Sequence, residues 1–182
     1  MDHSRRTFLK TMLVASFAVP ALFSPQALGN DFWNRPRTLR LRRAETGETV
    51  YETYWADGRI VQPGYDRICH LMRDVSAGVQ CGMDVVLLDI LRGMQGWFLS
   101  YGQDRVITIN SGYRTDATNN RLEGAARNSW HKRGGAADVR IEDVPVDYMA
   151  QLARYLRGGG VGIYQQKRFL HVDRGNIRTW RG

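Results

Sequence analysis

Two histidines and one aspartate have the residue types and the spacing that a metal site could use. His131 and Asp138 lie seven positions apart, with a glycine pair at 134–135 between them, and His171 follows on a segment that alternates like a strand. The glycines allow the backbone to reverse, so His131 and Asp138 can face one point about 2 Å from each. Two imidazoles and a carboxylate suit a catalytic zinc that keeps a fourth position for water. Spacing alone leaves another interpretation open, namely hydrogen-bonded or surface histidines beside an unrelated aspartate.

A longer pattern around these residues resembles a known family. Residues 129–138 match, at every fixed position, the serine-x-histidine-x-x-glycine-x-alanine-x-aspartate signature of the M15-type zinc D,D-peptidases. That family includes D-alanyl-D-alanine carboxypeptidases and dipeptidases. Residues 111–115 are similar to its serine-glycine-tyrosine-arginine loop, and residues 158–164 and 169–173 resemble the last part of its murein endopeptidase branch. The resemblance covers roughly residues 38–181 and is strongest from residue 110 onward.

The resemblance implies a role for each matching residue. Three residues would be the ligands of a Zn²⁺ cofactor: His131, Asp138 and His171. Arg114 would hydrogen-bond the substrate carbonyl or the oxyanion formed on attack, with a loop-stabilising salt bridge as the alternative. Ser129 would support the site or the substrate, or only cap a local turn. Tyr113 would line the substrate groove or pack against it.

One position departs from the family's pattern. Many relatives carry an acidic general base three residues before the last histidine ligand, and that position is Arg168 here. Asp173 is then the best remaining candidate for a base or a water-positioning group. Because residues two apart on a strand point to the same face, we expect Asp173 beside His171. The alternative is that Asp173 only orients the imidazole.

The implied reaction is metal-assisted hydrolysis of an amide bond in peptidoglycan cross-links. The partners would be peptidoglycan stem peptides, and the protein would act as a monomer. Three alternatives stay open: a D,D- or L,D-carboxypeptidase, a peptidoglycan-binding module of the same fold that has lost catalysis, and a signalling domain of the related hedgehog type. Arg168 favours the inactive module, whereas the intact ligand set argues against it.

The elements that must position these residues are mixed. Alternation at 38–43 and 49–55 around a turn predicts a β-hairpin, and apolar residues at helical spacing predict helices over 63–75 and 83–101. Strands are predicted at 106–109, 136–141, 161–164 and 169–173, with a helix over 145–157 and a loop over 111–128. We therefore expect an α+β fold with packed helices and a small antiparallel sheet, which the resemblance makes similar to the hedgehog and D,D-peptidase domains.

The first thirty residues read as an export signal. Arg5 and Arg6 precede an apolar run of about a dozen residues, which is too short for a bilayer span of roughly 20. The pattern around the pair is close to the twin-arginine consensus, although an ordinary secretory signal is an alternative. We expect a twin-arginine signal at 1–30, a linker at 31–37 and a zinc peptidase domain at 38–182. The protein would then work in the periplasm, without a membrane span after the signal is removed.

The net charge restricts the class of binding partner, and the two cysteines allow two structural interpretations. The net charge is +8, and removal of residues 1–30 would take away three basic and one acidic side chain and leave +6. This favours anionic partners, but no basic-aromatic pattern indicates a nucleic-acid groove. Cys69 and Cys81 could pair in an oxidising compartment or could be two small buried side chains on neighbouring helices.

Overall fold

A single mixed sheet organises the fold. The computed structural model describes residues 30–124 and 126–182, with side chains from residue 32 onward. Residues 1–29 of the predicted export signal therefore lie outside the described residues. The eight strands follow the order β3-β2-β1-β4-β5-β7-β6-β8. They are β1 (Arg37–Arg43), β2 (Thr49–Ala56), β3 (Arg59–Ile60), β4 (Ile107–Ser111), β5 (Ala136–Ile141), β6 (Gly160–Tyr164), β7 (Phe169–Asp173) and β8 (Arg178–Arg181).

Five α-helices accompany the sheet within the described residues. They are α1 (Asn30–Asn34), α2 (Gln62–Leu71), α3 (Val85–Leu99), α4 (Asp116–Arg121) and α5 (Val146–Leu156). Helix α3 begins where Asp84 accepts a hydrogen bond at 2.8 Å from the amide of Val86, which satisfies one of the free donors of the first turn. None of the described helices is long and apolar enough to cross a membrane.

The two faces of the sheet differ in composition. On one face, alternate strand residues such as Leu41, Ile107 and Val139 are fully buried, and helices α3 and α5 pack against this side. On the other face, Arg42 and Arg140 are exposed. Because side chains alternate along a strand, the open face carries every second residue and remains available for a site.

The α+β class predicted from the sequence is confirmed, but the sheet is larger than the small antiparallel sheet that we expected. Strands β1 and β4 run parallel, as do β6 and β8. Helix α4, the two-residue β3 and the terminal β8 were not predicted, since each is short and largely polar. Helix α2 ends at Leu71, four residues earlier than expected, and α1 occupies most of the predicted linker.

The two cysteines are free thiols in the structure. The Cys69 sulfur accepts a hydrogen bond at 3.3 Å from the amide of Met83, and the Cys81 thiol donates to the carbonyl of Gly82 at 3.5 Å. Burial raises the pKa of both thiols, and that of Cys81 to about 11. Both side chains are therefore protonated at neutral pH.

Candidate metal centre

The three candidate ligands come from separate segments and meet on the open face of the sheet. Asp138 on β5 and His171 on β7 are direct partners in the strand register. His131 lies in the 3₁₀ turn Trp130–Arg133, which precedes β5. Only 2%, 10% and 12% of the side chains of His131, Asp138 and His171 are exposed, so their polar atoms face one another rather than solvent.

One atom of each residue converges on a common point. Oδ1 of Asp138 lies 2.9 Å from Nδ1 of His171 and 3.3 Å from Nε2 of His131, and the two ring nitrogens are 3.2 Å apart. Ligand atoms about 2.0–2.1 Å from a tetrahedral zinc are themselves separated by roughly 3.3 Å. The triangle therefore has the size of one face of a tetrahedral metal site.

Hydrogen bonds on the far side of each ring determine where its lone pair points. Nδ1 of His131 lies 2.6 Å from the carbonyl oxygen of Gly112, which can only accept, so this nitrogen carries the hydrogen. Nε2 of His171 lies 3.1 Å from the carboxylate of Asp173 and carries the hydrogen for the same reason. In the neutral rings the remaining nitrogens therefore direct lone pairs at Oδ1 of Asp138. Three electron-rich atoms in this arrangement need a shared proton or a metal cation between them, and the donor set suits zinc.

The protonation states of two candidate ligands suit a metal directly. Burial lowers the pKa of His131 and keeps its ring neutral near pH 7. Burial opposes ionisation of Asp138, but the adjacent imidazoles hold its pKa below the ordinary value. Burial would also lower the pKa of His171, yet hydrogen bonds to Asp138 and Asp173 raise it, which favours the protonated ring. Because a metal binds a neutral imidazole, its binding would displace a proton from His171.

Asp173 is fully buried, on the side of the His171 ring away from the candidate ligand nitrogen. Arg178 on β8 donates from its two Nη atoms at 3.0 and 2.7 Å, and the amides of Gly160 and Gly175 donate at 3.3 and 2.8 Å. Burial opposes ionisation, but His171 and Arg178 hold the pKa of this carboxyl below its usual range. Because these donors occupy both oxygens, the placement favours the orienting role over that of a base.

Arg114 contacts a candidate ligand directly. Its Nη2 donates to Oδ2 of Asp138, and its Nε donates to Oγ of Ser111 at 2.7 Å. Its backbone amide donates to the carbonyl of His131 at 3.2 Å. These contacts leave Oδ1 of Asp138 directed at the centre. Nη1 makes no hydrogen bond within the described residues.

Ser129 and Tyr113 lie around this centre. Oγ of Ser129 accepts a hydrogen bond at 3.3 Å from the amide of His131, so it caps the 3₁₀ turn. Tyr113 is half-buried, and its amide donates to the carbonyl of Met72 at 2.8 Å. Burial raises the pKa of the Tyr113 phenol, which therefore stays protonated.

Three further residues at the centre escaped the sequence analysis. The buried Asp74 accepts hydrogen bonds at 2.9 Å from both the amide and the hydroxyl of Thr115, which holds the 111–115 loop. Trp180 lies with its ring centroid 5.3 Å from that of His171, and Arg178 orients Asp173. The alternation of residues 178–181 could have indicated a terminal strand, whereas no local pattern marks Asp74.

Arg168, which occupies the position of the family's general base, lies away from the ligands. It is exposed in the turn between β6 and β7, with a φ of +53°, and lines a groove on the open face together with Arg42 and Arg140.

Comparisons with known proteins point to one family. The family model described as peptidoglycan L,D-endopeptidase MepK matches residues 32–180. The peptidoglycan L,D-endopeptidase MepK of Escherichia coli strain K12 is 35% identical over 184 aligned residues, which cover 98% of each chain. A protein of Haemophilus influenzae named probable peptidoglycan L,D-endopeptidase MepK is 33% identical over 153 residues, or 81% of each chain.

Proposed function

Because the chain belongs to the family of peptidoglycan L,D-endopeptidases described as MepK, we propose that it is a zinc-dependent hydrolase of peptidoglycan cross-links. The observation that supports the metal most strongly is the convergence of three lone-pair atoms, whose outer hydrogen-bond partners fix the tautomer of both rings. The three residues that would hold the ion are His131, Asp138 and His171.

Each ligand has its own support. The carbonyl of Gly112 orients His131, the Asp173 carboxylate orients His171, and Arg114 holds Asp138. Such outer partners preserve ligand geometry and raise metal affinity. A bound zinc would supply Lewis acidity and a water of lowered pKa at this point, which is the chemistry that amide hydrolysis requires.

The remaining donors would bind the substrate. Nη1 of Arg114 would hydrogen-bond the scissile carbonyl oxygen and stabilise the negative charge that develops there during attack. The protonated Tyr113 phenol lies one residue earlier on the same loop and would donate to the peptide. Ser129 would contribute indirectly, because its cap holds the turn that carries His131.

The location of the substrate agrees with the export signal. We propose that residues 1–30 direct the protein through the twin-arginine pathway into the periplasm, where residues 38–182 act as the peptidase domain after a linker at 31–37. The partner there would be the stem peptides of peptidoglycan, and the protein would act as a monomer.

Digestion of purified sacculi tests this function. When the treated sacculi are then digested with a muramidase, the zinc-loaded protein should have converted cross-linked muropeptides into uncross-linked ones, and a chelator should stop the conversion until zinc is restored. Loss of a single terminal residue without cross-link cleavage would indicate a carboxypeptidase instead. Binding to sacculi with the cross-links intact would indicate the inactive module that Arg168, in place of an acid, favours.

A further inference from the structure

The candidate ligands belong to a row of residues that crosses the open face of the sheet. Successive register partners in this metal row are Ser111, Asp138, His171, Gly162 and Trp180. A second row runs beside it, two residues further along β5. In this row Arg42 pairs with Thr108, and Thr108 pairs with Arg140. Because same-face residues on a strand are about 7 Å apart, Arg140 lies about that distance from Asp138.

The second row forms the floor of a groove with a volume of about 660 Å³. Arg42 and Arg140 line it from the sheet, and Arg168 lines it from the turn between β6 and β7. We call this groove the arginine groove. It includes Arg168, which occupies the position of the family's acidic general base but lies away from the candidate ligands.

The side chains of the three arginines make no polar contact within the part of the chain that the structure describes. All three are exposed, and none makes a side-chain hydrogen bond or an ion pair with any residue of the ranges 30–124 and 126–182. Two other arginines of β1 are paired, since Arg40 contacts Asp104 at 2.5 Å and Arg37 contacts Asp89 at 2.8 Å. The guanidinium groups of the arginine groove are therefore available to an external anion.

Acidic side chains lie at the other end of the groove. Glu142 and Asp143 line it beyond Arg140, further along the chain from Asp138. Arg140 is therefore the charged lining residue nearest the metal row, and the two carboxylates lie further from it. A planar guanidinium matches a carboxylate in a two-point hydrogen bond, which favours a carboxylate over a diffuse anion.

We propose that the arginine groove binds a free carboxylate of the cross-linked peptide whose amide bond lies at the metal centre. This inference rests on the proposed function. A peptide residue spans about 3.3–3.6 Å, so a carboxylate at Arg140 lies about two residues from the scissile bond. Arg42, Arg140 and Arg168 are then residues that determine specificity for an acidic peptide.

Steady-state kinetics of the zinc-loaded protein on a soluble cross-linked muropeptide test the groove. The Arg42→Gln/Arg140→Gln variant should raise KM roughly tenfold, because two exposed guanidinium-carboxylate contacts are lost, while kcat and zinc content stay near those of the wild type. Amidation of the muropeptide's free carboxylates should raise KM for the wild type and remove the difference between the two proteins. The Arg154→Gln/Arg157→Gln variant removes the same number of positive charges from exposed positions at the end of α5 and should leave KM unchanged.

The results separate the groove from the catalytic function. An unchanged KM in the double variant contradicts the proposed role of the groove, and so does an equal rise in its KM with the amidated peptide. In either case, cleavage by the wild type still supports the proposed function. If the wild type cleaves nothing, the proposed function fails, and calorimetric binding of the same two peptides decides about the groove. Weaker binding of the carboxylate form to the double variant alone then supports it, and equal binding overturns it.

Discussion

At the residue scale, the chemistry depends on which atom of each side chain is already occupied. His131 gives its Nδ1 hydrogen to Gly112, and His171 faces Asp173 with its Nε2. These outer contacts leave one lone pair on each ring, both directed at Asp138. The sequence could suggest this ligand trio because two histidines and an aspartate stand in a family pattern, and their role as ligands stays a prediction.

The role of Asp173 could not be settled from the sequence. Same-face spacing on a strand predicted Asp173 beside His171 rather than behind it, whereas its carboxylate faces Nε2, on the far side of the ring from the candidate ligand nitrogen. That depends on Arg178, Gly160 and Gly175, which come from other segments and occupy the carboxylate.

An Asp173→Asn substitution distinguishes the two roles. If the carboxylate orients His171, its loss should weaken zinc binding about 10- to 100-fold, and excess zinc should restore most of the activity. Competition with a chelating dye measures the affinity, and turnover at rising zinc concentration measures the rescue.

A general base would behave differently under the same substitution. Zinc affinity would stay near that of the wild type, and kcat would fall to a level that added zinc does not raise. Asp143→Asn, which changes an exposed carboxylate at the far end of the arginine groove, serves as the control for zinc affinity.

At the element scale, the 3₁₀ turn before β5 brings His131 to the strands. Gly134 ends the turn with a φ of +65°, and a Cβ there would lie 2.4 Å from the carbonyl oxygen of Gly82. The hairpin, α3, β5 and β7 could be predicted because apolar periodicity sets them. The short α4, β3 and β8 could not, since register with distant strands and side-chain caps determine them.

Gly134→Ala should damage the site through this turn. Left-handed backbone costs alanine about 1–2 kcal/mol, and the contact with Gly82 adds a displacement that moves His131. We expect a loss of about 1–3 kcal/mol in the free energy of unfolding, measured in urea, together with reduced zinc content.

Gly47→Ala is the matched control, because Gly47 has a φ of +75° and nothing within 4 Å of the added carbon. It should cost about 1 kcal/mol, from backbone strain alone, and keep its zinc. Equal zinc content in the two variants would show that the turn does not position His131.

At the scale of the whole molecule, one face of the sheet builds the core and the other carries the chemistry. The α+β class followed from the mixture of periodic segments. The strand order did not, because pairings such as β1 with β4 join segments more than 60 residues apart, and local periodicity holds no information about them. The arginine groove is likewise visible only after β1, β4 and β5 lie side by side.

The predicted export signal determines where the whole protein is located. Replacing Arg5 and Arg6 with lysine keeps the charge but removes the twin-arginine pair, so we expect the protein to stay in the cytoplasm in a folded form. Cell fractionation followed by immunoblotting measures this. Lys10→Arg is the control and should be exported normally, whereas export of the double variant at the wild-type level would indicate an ordinary secretory signal.

Zinc stoichiometry by elemental analysis tests the central claim most directly. The folded wild type, supplied with zinc and then dialysed, should retain about one ion per chain. His131→Ala and Asp138→Ala should retain far less and cleave no cross-links in sacculi, while Asp143→Ala should match the wild type in zinc content. A folded wild type that takes up no zinc, or ligand variants that keep it in full, would contradict the account.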